Sequence, residues 1–123
     1  MKIAARIFTI SLIATAALFA AGCPRQTSIG DIERNPSRHM NREVAIAGRV
    51  SDSFGVSVPG TGIRGGVYRV DDGTGSIWVL TDNTVPTRGA QVGVTGTVSS
   101  GITWSGRNFG LGMRETNRRY RGR

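Results

Sequence analysis

The sequence predicts an all-β domain, a five-stranded Greek-key barrel with a short N-terminal helix, set behind a cleaved leader. Three observations predict it. Apolar residues alternate with period two through several short segments. Eighteen glycines cluster between those segments, where tight turns belong. No stretch after residue 22 carries the 3.6-residue apolar spacing of a helical bundle. A chain of 123 residues has room for one domain, and with 38% hydrophobic and 7% aromatic residues its core is lean.

Residues 1–22 stand apart from the fold. Lys2 and Arg6 mark a basic start, and residues 7–17 form an apolar run. That run is too short for a membrane-spanning helix, which takes about 20 residues. Ala20-Ala21-Gly22 then lead into Cys23, the one cysteine of the chain. Leu18-Phe19-Ala20-Ala21-Gly22-Cys23 resembles the lipobox of bacterial lipoproteins, although Ala20 stands where Leu is commoner. The resemblance implies cleavage before Cys23, lipidation of its thiol, and often acylation of its new amino group. Two or more acyl chains hold a protein stably on a membrane, where one does so marginally. Residue 24 is Pro rather than the Asp that favours inner-membrane retention. In a Gram-negative cell the expected location is therefore the periplasmic face of the outer membrane.

Residues 23–27 read as a tether, 28–116 as the domain and 117–123 as an Arg-rich flexible tail. Ser28-Ile-Gly-Asp31 has the form of a helix start, and Asn35-Pro36 a stop, so a short helix is expected over residues 29–34. From Glu43 the period becomes two, giving a first strand over 43–51 with Gly48 marking a bend or bulge. Residues 54–66, rich in Gly and Pro, read as a loop that could extend the hairpin irregularly. A second strand covers 67–71, Asp72-Gly-Thr-Gly75 forms a tight turn, and a third strand covers 76–81. A connection with Pro86 fills 82–90, and a fourth strand covers 91–99. A loop over 101–106 carries Trp104. A fifth strand covers 108–113, with Phe109, Leu111 and Met113 facing inward.

Several chemistries are excluded or left without support. One Cys cannot form a disulfide within the chain, and one Cys with one His makes a zinc site of such ligands untenable. A catalytic triad would rest wholly on His39, which nothing pairs with a nucleophile. Asp71 and Asp72 are adjacent and read as turn formers rather than a carboxylate pair. The glycines of residues 60–66 lack the Lys-Ser/Thr ending of a phosphate loop. No cofactor is expected, and no enzymatic activity.

Charge is placed unevenly. The formal net charge is +8. Residues 107–123 hold six Arg against Glu115 alone, a net of +5, while residues 23–106 hold eight Arg against seven acids, a net of +1. The domain body is thus nearly neutral, and Arg118, Arg119, Arg121 and Arg123 are candidates for contact with an anionic surface.

Val44-Ala-Ile-Ala-Gly-Arg-Val50, Tyr68-Arg-Val-Asp-Asp-Gly-Thr-Gly-Ser-Ile-Trp-Val79 and Gly89-Ala-Gln-Val-Gly-Val-Thr-Gly-Thr-Val98 resemble the strands of OB-fold domains. They are most similar to the tRNA-anticodon-binding type and its relatives in bacterial envelope proteins, over residues 28–115. One departure is that residues 82–90 leave no room for the helix many such folds place between strands three and four. Residues 28–34 are expected to cover that end of the barrel instead. The resemblance implies a ligand face on strands two and three with its flanking loops. On that face stand Arg69, Trp78 and Leu80, and in the next loop Trp104 and Arg107. Each Trp has a second reading: Trp78 packed beneath a loop or the N-terminal helix, and Trp104 tucked against the barrel rim.

The resulting expectation is a membrane-anchored, non-enzymatic module contacting an envelope protein or a glycan. The alternative is a protein that binds single-stranded nucleic acid through Arg69, Trp78, Trp104, Arg107 and the tail. The near-neutral body counts against it, because such barrels carry a basic groove.

Overall fold

In the computed structural model the residues described are 25–58 and 60–120. The leader, Cys23, Arg121 and Arg123 lie outside them. The chain order is β1 (Arg25–Gln26), α1 (Ile29–Arg34), α2 (Pro36–His39), β2 (Glu43–Val58), β3 (Ile63–Asp71), β4 (Ser76–Thr81), β5 (Gln91–Trp104) and β6 (Arg107–Tyr120). The sheet runs β1-β2-β3-β4-β6-β5, and β5 pairs again with β2. Strands β2 to β6 therefore close a five-stranded barrel of OB-fold type, with β1 added in parallel beside Val44 and Ala45.

Closure depends on β2 changing partners. Residues 43–49 pair with β5, and residues 49–58 pair with β3. The bulge that accommodates the change falls between Val50 and Asp52. Gly48, the expected bend, is instead a close approach, because a Cβ there would run into the Asp71 carbonyl. The interior is small and aliphatic: Val44, Ile46, Val50, Val70, Ile77, Val79, Val92, Val94 and Val98, with Tyr68 and Met113.

The expected helix forms over α1, and Ser28 caps it by accepting from the Asp31 N–H. Ile29 and Ile32 are fully buried in the barrel core. Pro36 does end α1, but it also opens the four-residue α2, where its fixed φ suits a first turn. His39 Nε2 lies 2.8 Å from Asp31 Oδ2 and joins the two helices. This hydrogen bond, aided by Asn35, holds the Asp31 carboxyl below its usual range.

Further sequence expectations are corrected. The tether expected over residues 23–27 is in part a strand, since Arg25 and Gln26 pair with Val44 and Ala45. Residues 54–66 are not a loop: β2 and β3 continue as a paired hairpin arm to Val58 and Ile63. Residues 101–106 are not a loop either, because β5 continues to Trp104 and turns through Ser105 and Gly106, both at positive φ. Residues 117–120 of the expected tail are not a tail: β6 stays paired with β5 through Tyr120. The connection 82–90 has no helix, as expected, and buries Pro86 while Val85 packs on the core.

The β3–β4 turn holds α1 in place. Asp72 accepts from the N–H groups of Ile29 at 2.9 Å, Thr74 at 2.9 Å and Gly75 at 3.2 Å, and from the Thr74 hydroxyl. Ser76 N–H donates to Glu33 of α1 at 2.8 Å. Burial opposes the Asp72 charge, but these donors outweigh it and hold the carboxyl below 3.8. A lowered folded pKa means stability that is present above the unfolded value and lost as pH falls through the folded one. The urea midpoint is therefore expected to drop between about pH 5 and about pH 2, and to drop less in Asp72→Asn. An equal slope in both proteins would remove Asp72 from this role.

Candidate functional site: the outer face of β3 and β4

Along β4, Ile77 and Val79 are buried inward, so Trp78 and Leu80 face outward. Across the ladders Trp78 stands beside Arg69 and Gly112, and Leu80 beside Val67 and Arg114. Val67 is buried without belonging to the interior cluster, as is Ile102, which lies over Gly112. The outward side of these strands thus carries apolar cover of its own.

Its centre is a row of three rings. Phe54 stacks on Trp78 with centroids 5.9 Å apart and planes 28° apart. Phe109 tilts against the same Trp78 ring, with centroids 4.8 Å apart. The ring neighbours of Trp78 come from the two hairpin arms. Phe109 was expected inward. Gly110 sits at φ +78, a left-handed conformation that a side chain resists, and the β5–β6 register shifts at Ile102. The shift places Phe109 over Trp78 while Met113 stays in the core.

The arms extend the face. β3 meets β4 only from Gly66 onward, and β6 meets it only from Gly112 onward. By register the residues before these points run past opposite ends of β4. On the β2–β3 arm Val56, Val58 and Ile63 are 51%, 45% and 58% exposed, in line with Phe54. Arg69 donates to Ser76 Oγ at 3.0 Å, and the Arg107 guanidinium lies 5.3 Å from the Phe109 ring centre. Trp104 closes the end of β5 opposite Arg107 and is half-buried. Among the described residues it is not part of the ring row.

Of the predicted site residues, Arg69, Trp78 and Leu80 therefore share one face, with Arg107 at its margin. Sequence reading missed Phe54, Val56, Val58, Ile63 and Phe109. The alternation at 54, 56 and 58 was the signal for the first three, hidden by the glycines around it.

Arg118 is not a surface residue. Its side chain is 10% exposed, and it pairs with Glu115, itself 4% exposed, at 3.2 Å. It also donates to the Thr84 carbonyl and lies over the Tyr68 and Tyr120 rings. Glu115 further accepts from the Tyr68 hydroxyl, and from Thr81 at 2.7 Å. Burial, and then the Glu115 carboxylate, push the Tyr68 phenol far above its usual range. Arg119 is exposed, as expected.

The sequence matches no family model and no curated protein. Among solved structures it is similar to a putative aspartyl-tRNA synthetase from Leishmania major Friedlin, with a TM-score of 0.58 and 12% identity. That match covers 80% of this chain and 21% of the synthetase, so the chain spans about a fifth of its length. It is also similar to the second OB-fold domain of replication protein A from Methanococcus maripaludis, at TM-score 0.54 and 21% identity. Here the match covers 77% of this chain and 93% of that one. At such identities the likeness shows the fold: the chain is an OB-fold barrel, of the architecture used by binding modules.

Removing Glu115 leaves Arg118, Tyr68 and Thr81 without their shared acceptor. Glu115→Ala is expected to cost about 3–5 kcal/mol in urea unfolding, with part of the loss recovered when Arg118→Leu is added. A loss below about 1 kcal/mol would place the pair among weak surface ion pairs.

Proposed function

We propose that this chain is a membrane-anchored, non-enzymatic binding module of a bacterial cell envelope. A lipid on Cys23 tethers it, and the outer face of β3 and β4 contacts a partner protein of the envelope. The observation that carries the reading is the Phe54–Trp78–Phe109 row, continued by exposed Val56, Val58 and Ile63. Contiguous exposed apolar surface of this kind marks an interaction site, and aromatic anchors with Arg at the margin are typical of protein interfaces. A glycan is the weaker fit, since the aliphatic arm offers it no hydrogen bonds. The lipobox-like motif favours the envelope, and Pro24 favours the outer membrane of a Gram-negative cell.

Single-stranded nucleic acid is the second reading. Arg69 and Arg107 beside aromatic rings favour it, because bases stack on such platforms. Against it, the Trp78 ring is already packed by both Phe54 and Phe109, which compete with a base for it.

Val56→Asp and Ile63→Asp change exposed positions and leave the barrel intact. Together they are expected to weaken binding of the partner recovered from detergent-solubilised envelope by about tenfold or more, as loss of an interface anchor does. Unchanged recovery would end the protein-partner reading. Oligonucleotide binding that weakens steeply with salt would favour the second reading instead.

A further inference from the structure

A groove of about 620 Å³ lies away from the aromatic face. It lies over the outer side of β2 and β5, with Ala45, Ala47, Gly93 and Thr95 as its floor. Gln26 of β1 lines one side, and Asn117 and Arg119 of β6 the other. The order β2-β3-β4-β6-β5 around the barrel puts β4 directly across from the β2–β5 seam. The groove and Trp78 therefore look in opposite directions.

The anchor enters beside this groove. Arg25 and Gln26 are already paired with Val44 and Ala45, and the Thr27 N–H donates to the Ala45 carbonyl at 2.8 Å. Cys23 precedes Arg25 by two residues, which can span no more than about 7 Å. A lipid on Cys23 thus leaves the barrel almost no tether with which to stand off a bilayer. The charge on this side suits an anionic one. Arg119 lines the groove, Tyr120 beside it is 60% exposed, and the sequence goes on to Arg121 and Arg123. Glu43 is the one carboxylate among the groove residues. Because β6 runs antiparallel to β5, and β5 antiparallel to β2, Arg119 and Tyr120 lie at the far end of the face from Arg25. A lipid at one end and basic charge at the other favour a barrel lying flat.

We infer that the barrel rests on an anionic phospholipid surface through the outer side of β2, β5 and the end of β6. The aromatic face on β4 is thereby turned away from the bilayer, toward the partner. The inference rests on lipidation of Cys23 as proposed above. It takes Arg119 as a surface contact in place of the buried Arg118.

Among the described residues, every strand and the core lie between Arg25 and Tyr120, so a chain starting at Cys23 contains this folded unit. Its single thiol can be coupled to a maleimide phospholipid in vesicles of phosphatidylcholine and phosphatidylserine with brominated acyl chains. Bromine quenches a Trp held against the bilayer. The expected result is unchanged emission from native Trp78, and loss of emission from Thr95→Trp in a chain that also carries Trp78→Phe and Trp104→Phe. Asn117→Trp in the same background is a second reporter should Thr95→Trp not fold. Quenching of Trp78 with the reporters unaffected, or quenching of neither, overturns the inference. Without coupling, Cys23→Ser is expected to bind the anionic vesicles about fivefold more weakly when Arg119→Ser is added; equal binding also counts against the face. Mass spectrometry of the chain from producing membranes tests the Cys23 lipid separately, since the coupled vesicles report the face whether or not the cell adds one.

Discussion

The buried carboxylate of Glu115 is the interaction on which the barrel depends. Three donors from different elements converge on it: the Tyr68 hydroxyl of β3, the Thr81 hydroxyl of β4 and the Arg118 guanidinium of β6. A carboxylate this deep is tolerated only when its lone pairs are filled and a cation neutralises it. Arg118 does both, and its second amino group reaches the Thr84 carbonyl in the connection that lacks a helix. The polar cluster, with Val85 and Pro86, sits at the end of β4 where the connection without a helix begins. Residues 116–120, which continue β6 past the core, supply Arg118, the cation paired with the Glu115 charge.

The β3–β4 turn, at the other end of β4, is held by a different device serving the same need. There α1 inserts Ile29 and Ile32, and Asp72 with Thr74 satisfies the N–H groups that a six-residue helix leaves open. With a polar clamp at each end, the interior can be filled with Val and Ile, which suit a narrow barrel. The large rings are then left for the outside. Tyr68 is the exception, and it is inside because its hydroxyl reaches Glu115.

The parts of this fold legible in the sequence were those set by local pattern. Ser28 and Pro36 bounded α1, the alternation in residues 76–81 bounded β4, and the Asp-Gly-Thr-Gly turn lay where expected. The misread parts were those decided by contacts distant in sequence. Gly55 and Gly66 look like loop residues, yet they face each other across the β2–β3 ladder, and a Cβ on Gly66 would collide with the Phe54 carbonyl. Their glycines permit a tight pair of strands there rather than a loop. Arg118 reads as solvated charge until Glu115 is placed beside it. The turn of Phe109 onto the outer face follows from a single left-handed residue, Gly110, which strict alternation cannot anticipate.

The ring row also bears on what the outer face can hold. An OB barrel that stacks bases needs rings with open faces, separated so that a base fits on each. Here Phe54 and Phe109 come from separate arms and both pack on Trp78, so the three rings form a continuous apolar ridge. A ridge offers area rather than slots. Area bordered by Val56, Val58 and Ile63 gains most from a partner that removes it from water over a broad contact, and that describes a protein surface better than a polar chain. The arginines fit the same view. Arg69 is held by Ser76 and Arg107 lies against Phe109, so both sit at the margin, where a charge steers a partner without being buried under it.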